Sequence, residues 1–293
     1  MRLRTLISKL AVFFPGFWIL LALVPSSCDT SEAERPAFIR IDTIAVDSTS
    51  FDSTGSVSHA IRFAWVYVED NLIGVHELPA VVPVLAEGTQ EITVFAGVSE
   101  NGIGTQASRY PFYGFWQKND TLVKEDTLLL EPRVRYQKGL KVPLNVTFDN
   151  SQVPEISLGV VDGNGFYNID LNPQEAFEGS GSLELYLPPG ASHMVLETSS
   201  IPVPTGKAGY FIEFNYRNNC DFLIGLRAGG TNQTTSLIGI RPRPNYNKIY
   251  VNITQPVDQL SGLSESVHIY FRMDQDTSVQ DQIVRIDNLK VLY

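Results

Sequence analysis

Residues 210–216 read Tyr210-Phe211-Ile212-Glu213-Phe214-Asn215-Tyr216. Every even position is apolar, while Glu213 and Asn215 stand at odd ones. In an extended chain successive side chains point to opposite faces, so this segment predicts a β-strand with its even face in a core and its odd face largely wet. Runs of the same character surround it: 144–148, 156–161, 182–187 and 193–197 before it, and 222–227, 237–241, 248–254, 267–273 and 283–292 after it. Gly, Pro, Asn and Asp punctuate these runs, and no window offers a long amphipathic helix.

The first half carries the same signals. Residues 38–44 alternate, and 61–68 (Ile-Arg-Phe-Ala-Trp-Val-Tyr-Val) alternate with β-branched and aromatic enrichment. Asp70-Asn71 predicts a hairpin turn before Leu72. Pro79 and Pro83 bracket a short edge segment, where a missing amide is tolerated. Residues 91–98 add a strand and Glu100-Asn101-Gly102 a turn. The expected fold is all-β. An Ig-like or prealbumin-like sandwich spans 37–142, and a jelly-roll sandwich follows over 143–293.

Residues 1–27 combine a basic start (Arg2, Arg4, Lys9), an apolar run from Leu10 to Val24 and the small residues Ser26 and Ser27, the layout of a secretory signal peptide. Pro15 and Gly16 interrupt an apolar stretch already shorter than the roughly 20 residues that span a bilayer. Leu23-Val24-Pro25-Ser26-Ser27-Cys28 resembles a lipobox, although Pro25 departs from the small or aliphatic residue usual there. The resemblance implies cleavage before Cys28 and its lipidation. Residues 28–36, polar and acidic, read as a flexible tether. Their acidic residues also resemble the surface-export signal of Bacteroidetes lipoproteins, so the expected location is the outer membrane, facing periplasm or cell surface. Cleavage removes three of 22 basic residues and none of 32 acidic ones, leaving 19 against 32 and a net charge of −13. Such a surface argues against nucleic acid, and it lacks a polybasic patch for anionic lipid. Cys220 has no cysteine or histidine nearby and reads as a plain thiol.

Within 57–114, Trp65-Val66-Tyr67-Val68, the Ile-Gly-Val step at 73–75 and Ala96-Gly97-Val98 resemble a pattern of Bacteroidetes envelope proteins, which implies a small Ig-like or prealbumin-like sandwich. Three segments of the second half, Phe177-Glu178-Gly179-Ser180-Gly181-Ser182-Leu183, Asn245-Tyr246-Asn247-Lys248-Ile249-Tyr250 and Ile286-Asp287-Asn288-Leu289-Lys290-Val291, resemble galactose-binding-like and carbohydrate-binding jelly rolls. That resemblance implies a structural calcium near Glu178 and Asp287. Calcium takes six or more oxygens, and a backbone-bonding role for Asp287 is the alternative. No other cofactor is expected. Thr43, Ser48, Ser53, Thr121 and Thr127 each follow an aspartate in a pattern that resembles the Bacteroidetes O-glycosylation signal, with ordinary turn chemistry as the alternative.

Catalysis finds little support. The four histidines are scattered, and Gly179-Ser180-Gly181-Ser182 lacks the spacing of a nucleophile elbow. The leading expectation is a non-catalytic structural or accessory module, docking on an outer-membrane or cell-surface protein assembly. Carbohydrate binding by the jelly roll is the alternative. Sugars need aromatic faces with flanking polar groups. Tyr246 and Tyr250 with Arg241, Arg243 and Asn245, on a loop stiffened by Pro242 and Pro244, are the candidates, with structural support of that loop as their competing role. Trp116 joins them from the aromatic run 110–116, where alternation would align Tyr110, Phe112, Gly114 and Trp116; core packing is the competing role for that run.

Overall fold

Residues 34–50, 54–149 and 157–293 are described in a computed structural model. The signal segment, Cys28, most of the tether and Ser53 lie outside the described residues. No helix among the described residues is long and apolar enough to cross a membrane.

The chain is all-β, as its alternation predicts. In the first lobe Asn71–Glu77, Ile61–Val68 and Gly88–Ser99 run antiparallel, and Ala107–Arg109 and Phe115–Leu122 both pair with Gly88–Ser99. A three-stranded sheet faces them, ordered Ala80–Val84, Ala37–Ile41, Thr127–Leu130. Ile39, Ile41 and Val82 of that sheet share one core with Val66, Val94 and Val98. Pro83 sits in Ala80–Val84, an edge strand paired only with Ala37–Ile41, where its missing amide removes no ladder bond.

The second lobe packs two six-stranded sheets. One is ordered Phe166–Asp170, Ser182–Leu187, Gln282–Leu292, Phe211–Asn218, Arg243–Asn252, with Leu144–Val146 pairing the far end of Gln282–Leu292. The other is ordered Leu158–Gly163, His193–Thr198, Ser266–Asp274, Phe222–Ala228, Thr234–Ile240, with Ile201–Pro202 on Ser266–Asp274. Leu185, Ile212, Phe214, Ile286 and Val291 meet Leu196, Ile224, Ile269 and Phe271 between them. A short helix, Thr254–Leu260, buries Val257 and Leu260; seven residues with a proline carry too little periodicity to show in the sequence. Cys220 is buried, and burial raises its thiol above the ordinary range.

Three local expectations change. Arg243–Asn252 is a strand, so Asn245 and Tyr246 lie on a sheet rather than on a loop. The two prolines are accommodated at its outer-edge end, where Arg243 and Pro244 are exposed. Residues 110–113 form a turn, and the strand starts at Phe115, so the expected alignment of Tyr110, Phe112, Gly114 and Trp116 fails.

The third change concerns the odd face of residues 210–216. Phe211, Glu213 and Asn215 are all buried, at 3%, 0% and 1% exposure. Tyr110, Phe112, Tyr113 and Tyr136 of the first lobe cover that end of the sheet, with Phe211, Tyr250 and Leu292 joining the first lobe's apolar cluster. Tyr110 packs edge-on against Phe112, Phe211 and Tyr250. Residues 36–293 therefore form one compact unit.

Candidate functional site

The outer face of the Phe211–Asn218 sheet divides into a covered half and an open half. In the covered half, Glu213 accepts hydrogen bonds from Tyr110 Oη and, at 3.0–3.1 Å, from Tyr136 Oη. Lys248 Nζ lies 2.7 Å from Glu213 Oε2. Burial pushes the Glu213 carboxyl up, but Lys248, Lys290 and the hydrogen bonds outweigh it, so it stays below the usual carboxylate range. Burial raises the phenols of Tyr110, Tyr113, Tyr136 and Tyr250. Lys290 is fully buried, and burial, helped by the charge of Lys248, lowers its ammonium to about 7. These shifts all belong to a closed seam. A strongly shifted group indicates chemistry only where a substrate can reach it.

Two sequence candidates lie in or near the covered region. Tyr250 is 1% exposed and spends its hydroxyl on Ala60 N and Tyr113 Oη, so it is closed to a ligand. Trp116 packs partly buried against the first lobe's core and presents no free platform.

Glu178 and Asp287 are also in place for structural work. Asp287 is fully buried; its Oδ2 accepts N–H bonds from Phe177 and Glu178, and its Oδ1 accepts from Asn288 N. Burial raises this carboxyl to about 7 against those donors. Glu178 Oε2 accepts Ser56 Oγ–H at 2.5 Å and Asn288 Nδ2–H at 3.2 Å, tying the lobes together. Oxygens aimed at N–H and O–H donors do not suit a calcium ion, and among the described residues no group of three or more His, Cys, Asp or Glu is placed to hold a metal.

The open half of the sheet is different in kind. A depression of about 360 Å³ is lined by Glu175, Arg217, Asn218, Asn219, Arg243, Pro244, Ile283 and Arg285. Arg285 projects from Gln282–Leu292 into three carboxylates: Asp170 at 2.7 Å, Glu175 at 3.0 Å, and Glu184. Arg217, one strand over, pairs with Glu175. Its guanidinium carbon lies 5.2 Å from the centre of the Tyr246 ring, which also meets Phe177 edge-on at 5.5 Å. Tyr246 Oη donates to Glu175 O at 2.7 Å. Three guanidinium groups and one carboxylate, Glu175, thus line the depression, while Asp170 and Glu184 pair with Arg285 beside it.

Of the sequence candidates, Arg243 lines this depression and Tyr246 borders it. Arg241 stands apart and exposed, 3.9 Å from Asp221, and Asn245 is exposed on the same strand. Sequence reasoning missed Arg217, Arg285 and Glu175. Alternation in Val284-Arg285-Ile286 places Arg285 on the face opposite the core. Its partners, 101 to 115 residues away, were not legible. Of the expected glycan acceptors, Thr43, Ser48, Thr121 and Thr127 are exposed, and Asp120 and Asp126 accept the N–H groups of the last two.

No known protein family and no curated protein matches the chain. Among solved structures, TmCBM61 in complex with beta-1,4-galactotriose is 12% identical, covering 50% of this chain and 92% of that one with a TM-score of 0.34. A mutant of the family 29 carbohydrate binding module CBM29-2, complexed with cellulohexaose, is 13% identical over 53% of this chain and 93% of that one, with a TM-score of 0.35. The enzymatically active domain of bacteriophage CBA120 tailspike protein 4 is 17% identical over 47% and 19%, with a TM-score of 0.32. At these scores the overlap carries nothing about a ligand, which has to come from this chain's own surface.

Proposed function

We propose that the chain is a non-catalytic, lipid-anchored envelope protein that binds a neutral polysaccharide on the open half of its second lobe. The observation that carries this reading is the depression beside Tyr246, whose three arginines are offset by Glu175 in its lining and by Asp170 and Glu184, which pair with Arg285 next to it. Sugar hydroxyls need donors and acceptors side by side, which Arg217, Arg243 and Glu175 supply, and the apolar face of a sugar ring needs an aromatic face, for which the half-buried Tyr246 stands at the border of the depression. Catalysis has no comparable support. Glu213, Lys290 and the raised phenols sit in the closed seam, and the depression's acid, Glu175, is engaged by Arg217 and Arg285. The docking reading leaned on edge strands and exposed aromatics; in the densest aromatic run, 110–116, Tyr110, Phe112 and Tyr113 are buried while Phe115 is exposed. Anchoring through Cys28 rests on the signal-like segment alone.

Affinity electrophoresis of the full chain in gels containing neutral galactans, glucans and mannans tests the binding. Retardation by at least one polymer, weakened tenfold or more by Arg217→Ala or Tyr246→Ala, is expected; retardation by none would refute the reading. Growth of the expressing cells with labelled palmitate should label the wild type and leave Cys28→Ala unlabelled. An unlabelled wild type would remove the anchor.

A further inference from the structure

The first lobe's five-stranded sheet has an outer face that its core does not use, and that face is aromatic. Strand pairing aligns Val75, Trp65, Phe95 and Phe115 in a row across four strands, with Leu72, Tyr67, Thr93 and Gln117 in the next. Three inter-strand spacings of ~4.8 Å make the row roughly 14 Å long. Phe115 is 55% exposed, while Trp65, Tyr67 and Phe95 are half-buried by one another. Phe95 meets Tyr67 at 5.6 Å and Phe115 at 5.5 Å. The indole of Trp65 lies over Gly97, where even a methyl group would collide with it. A ring laid down on a glycine turns its other face outward.

Arg109 completes the row. Its guanidinium carbon sits 3.4 Å from the centre of the Phe95 ring, and the residue is exposed. Among the described residues no carboxylate pairs with it, in a chain whose acidic residues outnumber its basic ones by 32 to 22. Arg109 therefore keeps its guanidinium on the aromatic row, next to Phe95, with its charge not met by a carboxylate.

The shape of the face narrows the choice. The aromatic row is bordered on one side by Tyr67 and by Thr93 and Gln117, hydrogen-bonded to each other at 3.2 Å, which makes it a strip with a polar margin. Rings with apolar faces, hydroxyl edges and a carboxylate fit a strip of stacked aromatics with polar borders and one unpaired cation. We propose that this strip is a second saccharide site, for an extended uronic-acid polymer that stacks on Trp65 and Phe115 and presents a carboxylate to Arg109. It goes beyond the reading of the second lobe, because it lies on a different sheet and takes a charged ligand.

Isothermal titration of the full chain with polygalacturonate, alginate and hyaluronate, each beside its carboxyl-reduced form, tests it. At least one acidic polymer should bind, with quenching or a blue shift of tryptophan fluorescence and a preference over its reduced form. Affinity should fall tenfold or more on Trp65→Ala, and on Arg109→Gln the preference for the acidic form should vanish. Arg109→Gln changes an exposed side chain and leaves the fold intact; Trp65→Phe, which keeps a ring on Gly97, guards against misfolding of Trp65→Ala by retaining most of the affinity. Tyr246→Ala should leave this binding unchanged. Absence of binding to all three polymers, or binding indifferent to Trp65→Ala and Arg109→Gln, would overturn the proposal. Loss on Tyr246→Ala instead would assign the acidic polymer to the second lobe and leave the strip without a role.

Discussion

Glu213→Ala is the most informative perturbation of the seam. The carboxylate is fully buried, accepts bonds from Tyr110 and Tyr136 and lies 2.7 Å from Lys248 Nζ, with Lys290 buried beside it. Removal strands two buried phenol hydroxyls, each worth about 1–3 kcal/mol when left unpaired. It also breaks a buried ion pair, which costs about 3–5 kcal/mol because the surviving cation stays desolvated. One carboxylate serves all these partners, so the losses overlap, and about 4 kcal/mol is the expected total. Against a stability of about 5–15 kcal/mol that is a large fraction, equivalent to a fall in Tm of about 10 °C for a unit of this size. Calorimetry reads it, with urea titration followed by tryptophan emission as a second probe. Glu213→Gln should lose nearly as much, since it keeps the shape and removes the charge. Adding Lys248→Met to Glu213→Gln should recover part of the loss by removing one stranded ammonium. A loss below about 1 kcal/mol, which is the scale of an exposed pair, would show that the seam admits water and that the lobes are not joined through it.

Lys290→Met probes the same seam through pH. Because burial takes this ammonium from its ordinary 10.5 to about 7, the unfolded chain holds more of its proton between those values. The group's contribution to stability therefore rises with pH across that window, its destabilisation being full below pH 7 and gone above about 10.5. The methionine variant should be more stable than wild type near pH 6.5, with the advantage shrinking by pH 9. A constant difference, or a less stable variant at pH 6.5, would contradict the assignment. Calcium at millimolar concentration should leave Tm unchanged, because Asp287 and Glu178 are committed to N–H and O–H donors. A ligand at a hundred times its Kd would add about 2.7 kcal/mol, which differential scanning calorimetry resolves readily.

Much of the architecture was legible in the order of residues. Ser182–Leu187 falls where its alternation placed it, and 61–68 forms Ile61–Val68 as expected. The turn at 110–113 and the strand containing Asn245 and Tyr246 were not legible. The first depends on Tyr110 packing against Phe211 and Tyr250 from the other lobe. The second depends on pairing with Phe211–Asn218, which overrides what Pro242 and Pro244 suggest locally. The candidate site divides in the same way. Tyr246 and Arg243 stood out as side chains, whereas Arg217, Arg285 and Glu175 acquire meaning only when distant strands bring them together.

Alternation along the chain determined by itself that Ile212, Phe214 and Tyr216 share one face and that Phe211, Glu213 and Asn215 share the other. Tertiary structure alone decided that the second face is dry near Glu213 and open near Arg217. The physical reason is range: a period of two is a local property of an extended backbone, while water is excluded from a face only by side chains that the rest of the chain carries to it. The same separation governs the first lobe, where Trp65, Phe95 and Phe115 are equally aromatic in sequence to Tyr110 and Tyr113, yet among the described residues no second layer covers them.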